Sequence, residues 1–159
     1  MDDVFRHLQM PAELACELLA VFSRMEFALK ATDFASENEG KVSASWDRFA
    51  NEIDDDFKQC TSKNLTTAVD YLLTHPPRKQ VRKNGVLTFD DQVIDNKQTE
   101  AQQTLLMVRT VRNNLFHGGK YLPDGEREQG RNEELVQHSL TVLKHCISLN
   151  KRVMQYYHL

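Results

Sequence analysis

Apolar side chains recur at three- and four-residue intervals along most of this chain, which is the helical period. Behind Pro11, a residue suited to a helix start, Leu14, Leu18, Leu19, Phe22, Met25 and Leu29 form one stripe. A helix is expected from residue 11 to about 34, with Glu39-Gly40 as the break beyond it. Ser45 is placed to cap a second helix bearing Trp46, Phe49, Ile53 and Phe57. Asn64 is placed to cap a third, bearing Leu65, Ala68, Val69, Leu72 and Leu73, and Pro76-Pro77 ends it because proline supplies no ladder N–H. From Thr99 a strong helix runs through Leu105, Leu106, Val108, Val111 and Leu115, and Gly118-Gly119 suits its left-handed terminus. Asn132, followed by Glu133 and Glu134, begins a last helix carrying Leu135, Leu140, Leu143, Ile147 and Val153.

Between residues 78 and about 96 the period weakens. Val86-Leu87-Thr88-Phe89 suits a short extended piece, while Phe89, Val93 and Ile94 suit a helical turn, so the region reads as a mixed connection. Residues 120–130 are polar, with a turn signal at Pro123-Asp124-Gly125. Without sustained alternating strands, the expected class is all-α, an antiparallel four- to five-helix bundle forming one domain over residues 1–159.

Composition narrows the setting. Apolar residues at 40% and charged residues at 27% are the mixture of a globular chain, and no apolar run approaches the ~20 residues that cross a bilayer. Asp2 and Asp3 open the chain where a signal peptide needs basic residues, so a mature N-terminus is expected. Cys16, Cys60 and Cys146 are odd in number and form no C-x-x-C pair, which argues against a disulfide framework and for the cytoplasm. Cys16 and Cys146 lie within apolar helical patterns and are expected to be core thiols. A net charge of −3 gives no global attraction to nucleic acid, so any such contact must use local basic patches.

The chemistry concentrates in Arg112-Asn113-Asn114-Leu115-Phe116-His117, followed by Gly118-Gly119-Lys120. Histidine exchanges a proton near neutrality, with an unperturbed pKa of ~6.5. Arginine stays charged and grips two phosphate oxygens through its planar fork. RNA brings its own nucleophile, the 2′-hydroxyl, so a protein needs only a base, an acid and positive charge to cleave it. Arg112 and His117 fit those roles, with Asn113 as a hydrogen-bonding orienter. At ~100° per residue, five steps set the two side chains ~140° apart on a helix. They meet only where the helix unwinds near His117 or where two copies face each other. The same residues also suit a plain structural role, a surface cation and a capping histidine near a helix C-terminus.

Val111-Arg112-Asn113-Asn114-Leu115-Phe116-His117-Gly118-Gly119 resembles the signature of HEPN domains. These are small helical bundles whose R-x(4–6)-H motif, often with Asn after the Arg, marks metal-independent RNases. Ser23-Arg24-Met25-Glu26-Phe27-Ala28-Leu29-Lys30 and Trp46-Asp47-Arg48-Phe49-Ala50 resemble segments of bacterial, often plasmid- or phage-linked, members. The resemblance implies that Arg112 and His117 are the catalytic pair and Asn113 a supporting residue. It also implies a homodimer with a composite cleft, no cofactor, and RNA products ending in a 2′,3′-cyclic phosphate and a 5′-hydroxyl. The setting implied is bacterial defence or a toxin–antitoxin pair with a cognate antitoxin protein. One departure stands out: the tyrosine that antitoxins adenylylate two positions after the histidine is here Gly119, with Tyr121 further on. The alternative within the family is a non-catalytic dimerisation or binding module for a partner protein or nucleotide.

The remaining candidates each have two readings. Glu26 either orients Arg112 across the bundle or is a solvated glutamate. Arg78, Lys79, Arg82 and Lys83, with Arg109 and Lys120, either guide an RNA backbone or are solvated cations, and no aromatics interleave the first four in sequence. Asp54-Asp55-Asp56 reads as a solvated acidic face, since consecutive helical carboxylates splay too far to share an ion. His138 and His145 share a helix face, ~10 Å apart, too far for one zinc.

Overall fold

The computed structural model describes residues 4–118 and 130–159. Helix α1 (Ala12–Lys30) follows Pro11 and buries Leu18, Phe22, Met25 and Leu29 along the expected stripe. It ends before residue 34: the Thr32 N–H turns to the Leu29 carbonyl at 3.2 Å, and the Thr32 hydroxyl donates to the Ala28 carbonyl at 2.9 Å in place of a backbone N–H. Strands β1 (Ala35–Asn38) and β2 (Lys41–Ala44) then pair antiparallel, from Ala35 opposite Ala44 to Asn38 opposite Lys41. Glu39 and Gly40 are more than a helix breaker: their φ angles of 50° and 78° make the two-residue turn that matches the strands' twist.

Helix α2 (Trp46–Gln59) begins behind Ser45, whose side chain makes no capping bond. Helix α3 (Lys63–Thr74) starts two residues earlier than expected, behind Ser62, so Asn64 lies in its first turn rather than capping it. The mixed connection resolves into a second hairpin, β3 (Lys79–Lys83) with β4 (Val86–Asp90), around Asn84 and Gly85 at φ 51° and 76°. Helix α4 (Glu100–Phe116) opens on a capping box, with Thr99 and Gln102 each accepting the other's backbone N–H. Helix α5 (Arg131–Ser148) stops short of Val153, and a separate α6 (Lys151–Tyr157) follows. The cause is Asn150, whose side-chain oxygen accepts the Val153 N–H at 3.1 Å and restarts the helix there. Among the described residues the chain is therefore mostly helical, with six helices and two small antiparallel sheets, rather than an all-α bundle of four or five.

One core joins these helices: α1 packs on α4, α5 and α6, α2 on α4, and α3 on α4 and α5. Its largest fully buried members include Phe49, Leu18, Met25, Leu29, Ile53, Leu72 and Leu105. No described helix is long and apolar enough to cross a membrane. Cys146 is buried in this core, and burial pushes its thiol well above the ordinary range, whereas Cys16 is exposed, contrary to the core position expected for it.

Asp54 also departs from expectation. It is 7% exposed rather than solvated, and its carboxylate accepts the Ala101 backbone N–H at 3.1 Å and faces Lys58 Nζ at 3.0 Å. A carboxylate on α2 thus meets the positive N-terminal turn of α4. Asp54→Ala is expected to cost about 1.5–3 kcal/mol, the range for a hydrogen bond to a charged group, in urea denaturation.

His138 on α5 packs against the ring of Tyr71 at 4.6 Å, and Tyr71 stacks on His75 at 4.6 Å. Burial lowers the pKa of both His138 and His145 below the ordinary 6.5. Below that value the unfolded chain takes up protons that the folded chain refuses, so stability falls as pH drops from 6.5 toward the lowered folded values. His138→Phe is expected to make the melting temperature less sensitive to acidification through that window.

Candidate functional site

Helical spacing builds a groove between α1 and α4. Ser23, Glu26 and Lys30 share one face of α1, and Arg109, Arg112, Asn113 and Phe116 share one face of α4. Together they line a groove of about 830 Å³. Three cations and one carboxylate stand on its walls, a balance that favours an anionic ligand.

Arg112 is held from three sides. Its guanidinium lies 5.2 Å from the ring centre of Phe22 and 5.0 Å from that of Phe116, within cation–π range. Its Nη1 donates to Asn113 Oδ1 at 3.0 Å. Two aromatic faces and a neighbouring amide therefore restrict a side chain that is otherwise long and mobile, and this is the preorganisation a phosphate clamp needs.

Glu26 lies in the same groove, half-buried. Its Oε1 accepts the Trp46 indole N–H at 2.7 Å, and no ion pair joins it to Arg112 among the described residues. Trp46, 3% exposed, stacks on Phe22 at 5.0 Å, and Phe22 is the ring beside Arg112. Glu26 thus reaches Arg112 only through Trp46 and Phe22. Sequence could not show this, because the bond joins residues twenty positions apart. Lys30, Phe22 and Phe116 were also missed, although Lys30 stands four residues from Glu26 and Phe116 four from Arg112, the spacing of helical neighbours.

His117 stands apart from the groove. The helix stays wound up to it: its N–H still bonds the Asn113 carbonyl at 2.8 Å, with φ −96° and ψ 24°. Gly118 then takes φ +81°, the left-handed position that ends the helix, and Gly119 lies outside the described residues. Unwinding before His117, one of the two ways to unite the pair, does not occur. The exposed His117 ring meets the edge of Phe116 at 5.1 Å, so a single aromatic ring touches both Arg112 and His117.

The basic cluster lies on the second hairpin, outside the groove wall: Lys79, Arg82 and Lys83 on β3, with Arg78 just before it. Lys83 is paired with Asp90 at 2.5 Å. Arg78 lies 4.8 Å from the ring centre of Phe89, so an aromatic does join this cluster, contributed by the neighbouring strand rather than by adjacent sequence. Arg109 lies on the groove wall. Lys120 lies outside the described residues. No protein family, curated protein or solved structure matches the chain.

Proposed function

We propose that this chain is a metal-independent endoribonuclease of the HEPN type, built on a HEPN-like helical bundle to which the two hairpins are added. The observation that carries the reading is the restrained guanidinium of Arg112, set in a cationic groove and followed five residues later by an exposed histidine. In the proposed reaction a His117 side chain takes the proton of the RNA 2′-hydroxyl, whose oxygen attacks the adjacent phosphorus. The bond to the 5′-oxygen breaks, that oxygen receives a proton from an imidazolium, and Arg112 neutralises the phosphorane between them. Base and acid can be two copies of His117, which is the reason to propose a homodimer. The ~140° between Arg112 and His117 on a wound helix favours a site shared by two protomers over one closed within a chain. No cofactor enters this chemistry. A bacterial defence or toxin–antitoxin role, a cognate antitoxin protein and a cytoplasmic location belong to the same proposal and rest on the resemblance.

One observation favours a second reading. Because His117 does not line the groove that holds Arg112, the fold also suits a non-catalytic module that dimerises and binds a partner protein or nucleotide. End-group mapping separates the two. Incubation with labelled single-stranded RNA is expected to yield 2′,3′-cyclic phosphate and 5′-hydroxyl ends. Intact RNA, or 3′-hydroxyl ends, would remove the proposed mechanism.

A further inference from the structure

Asn114 faces away from the Arg112 groove, since two residues along a helix turn through ~200°. Its Nδ2 donates to the Arg78 carbonyl at 2.7 Å, which ties the second hairpin to α4. His117 follows Asn114 by three residues and so shares its side of the helix. The hairpin therefore hangs from the side of α4 that carries His117.

The two faces of the hairpin differ in charge. Register sets Gln80 opposite Phe89 and Arg82 opposite Leu87, and the two-residue period puts these four on one face. The other face bears Lys79 and Lys83 with Asp90, whose carboxylate neutralises Lys83. On the first face, Arg82 is exposed, with no ion pair among the described residues. Beside it lie Arg78, whose guanidinium carbon sits 4.8 Å over the Phe89 ring centre, and the half-exposed Leu87.

We infer that this face of the β3–β4 hairpin is a contact surface for single-stranded RNA, which it leads toward His117. Arg82 holds a phosphate, and the Arg78–Phe89 pair receives an unpaired base against the guanidinium plane. Asn114 is the positioning residue that keeps the hairpin beside the end of α4. The choice of ligand rests on the ribonuclease reading above. Charge complementarity selects a polyanion, and the stacked aromatic selects splayed bases over a duplex, which offers none.

The test is titration of His117→Ala protein, in which cleavage is slowed, with a labelled single-stranded oligoribonucleotide at several salt concentrations. Replacing Arg82 by Ala in that protein is expected to weaken binding and to reduce the salt slope by about 0.7, the loss of one phosphate contact. Phe89→Leu is expected to weaken binding about 10-fold with the slope kept. Asn114→Ala is expected to do the same. A lower melting temperature with unchanged affinity would make Asn114 structural only and overturn its positioning role. Wild type that cuts RNA while the hairpin variants bind like their parent would overturn the hairpin and leave the ribonuclease. Hairpin-dependent binding by a protein that cuts nothing would do the reverse. A parent that binds no RNA, including one that instead binds phosphatidylserine vesicles, would overturn the inference.

Discussion

Arg112→Ala and His117→Ala are each expected to slow cleavage of single-stranded RNA by roughly 10²- to 10⁴-fold with helical content unchanged. The two losses have different physical origins. His117 is exposed at the end of α4, and the bond that seats it is made by its backbone N–H to the Asn113 carbonyl. Alanine keeps that bond, so the variant loses a proton carrier and one ring contact with Phe116. Arg112 is half-buried between Phe22 and Phe116, and its removal also loses two cation–π contacts, each worth about 0.5–1 kcal/mol. Arg112→Ala should therefore melt slightly earlier than His117→Ala while matching it in lost rate. Arg112→Lys keeps the charge without the planar fork and should recover only part of the activity. Circular dichroism and a time course of RNA cleavage check all three.

Phe49→Ala is expected to destabilise the fold by about 3–5 kcal/mol in urea denaturation, the cost of emptying a buried aromatic site. Phe49 has no exposed surface and meets Phe34 edge-on at 5.3 Å. That loss is a large share of the roughly 5–15 kcal/mol available to a domain of this kind. It also reaches the site, because Trp46 lies three residues earlier on α2 and holds both Glu26 and the Phe22 ring beside Arg112. Cleavage by the surviving folded protein should fall as this support loosens. A loss below about 1 kcal/mol, the size expected of a surface change, would contradict the placement of Phe49 in the core.

The helical period carried most of the fold because each stripe is a local property: α1, α2, α3 and α4 begin within a residue or two of their expected starts. What the period could not show was local competition and distant pairing. Glu39-Gly40 is legible as a break and residues 78 to about 96 as a weakened period, yet Glu39-Gly40 and Asn84-Gly85 are each a two-residue turn that folds its flanks into a hairpin. Asn150 interrupted an apolar run that would otherwise continue to Val153, because its side chain captures a backbone N–H. Asp54 sits in an acidic run that predicts solvation, while its partner is the start of α4, distant in sequence. At the site, the ~140° offset between Arg112 and His117 followed from helix geometry and persists because α4 stays wound. The Glu26–Trp46–Phe22 chain and the Phe89 ring beside Arg78 were not legible, since each depends on elements brought together only by the fold.

The central claim is that Arg112 and His117 cut RNA without a metal ion. Its most direct measurement is cleavage of single-stranded RNA in EDTA by wild-type and His117→Ala protein side by side. The account predicts full cleavage by the wild type and cleavage slowed roughly 10²- to 10⁴-fold in the variant. Cleavage that requires a divalent ion, or that proceeds equally in both, would contradict it.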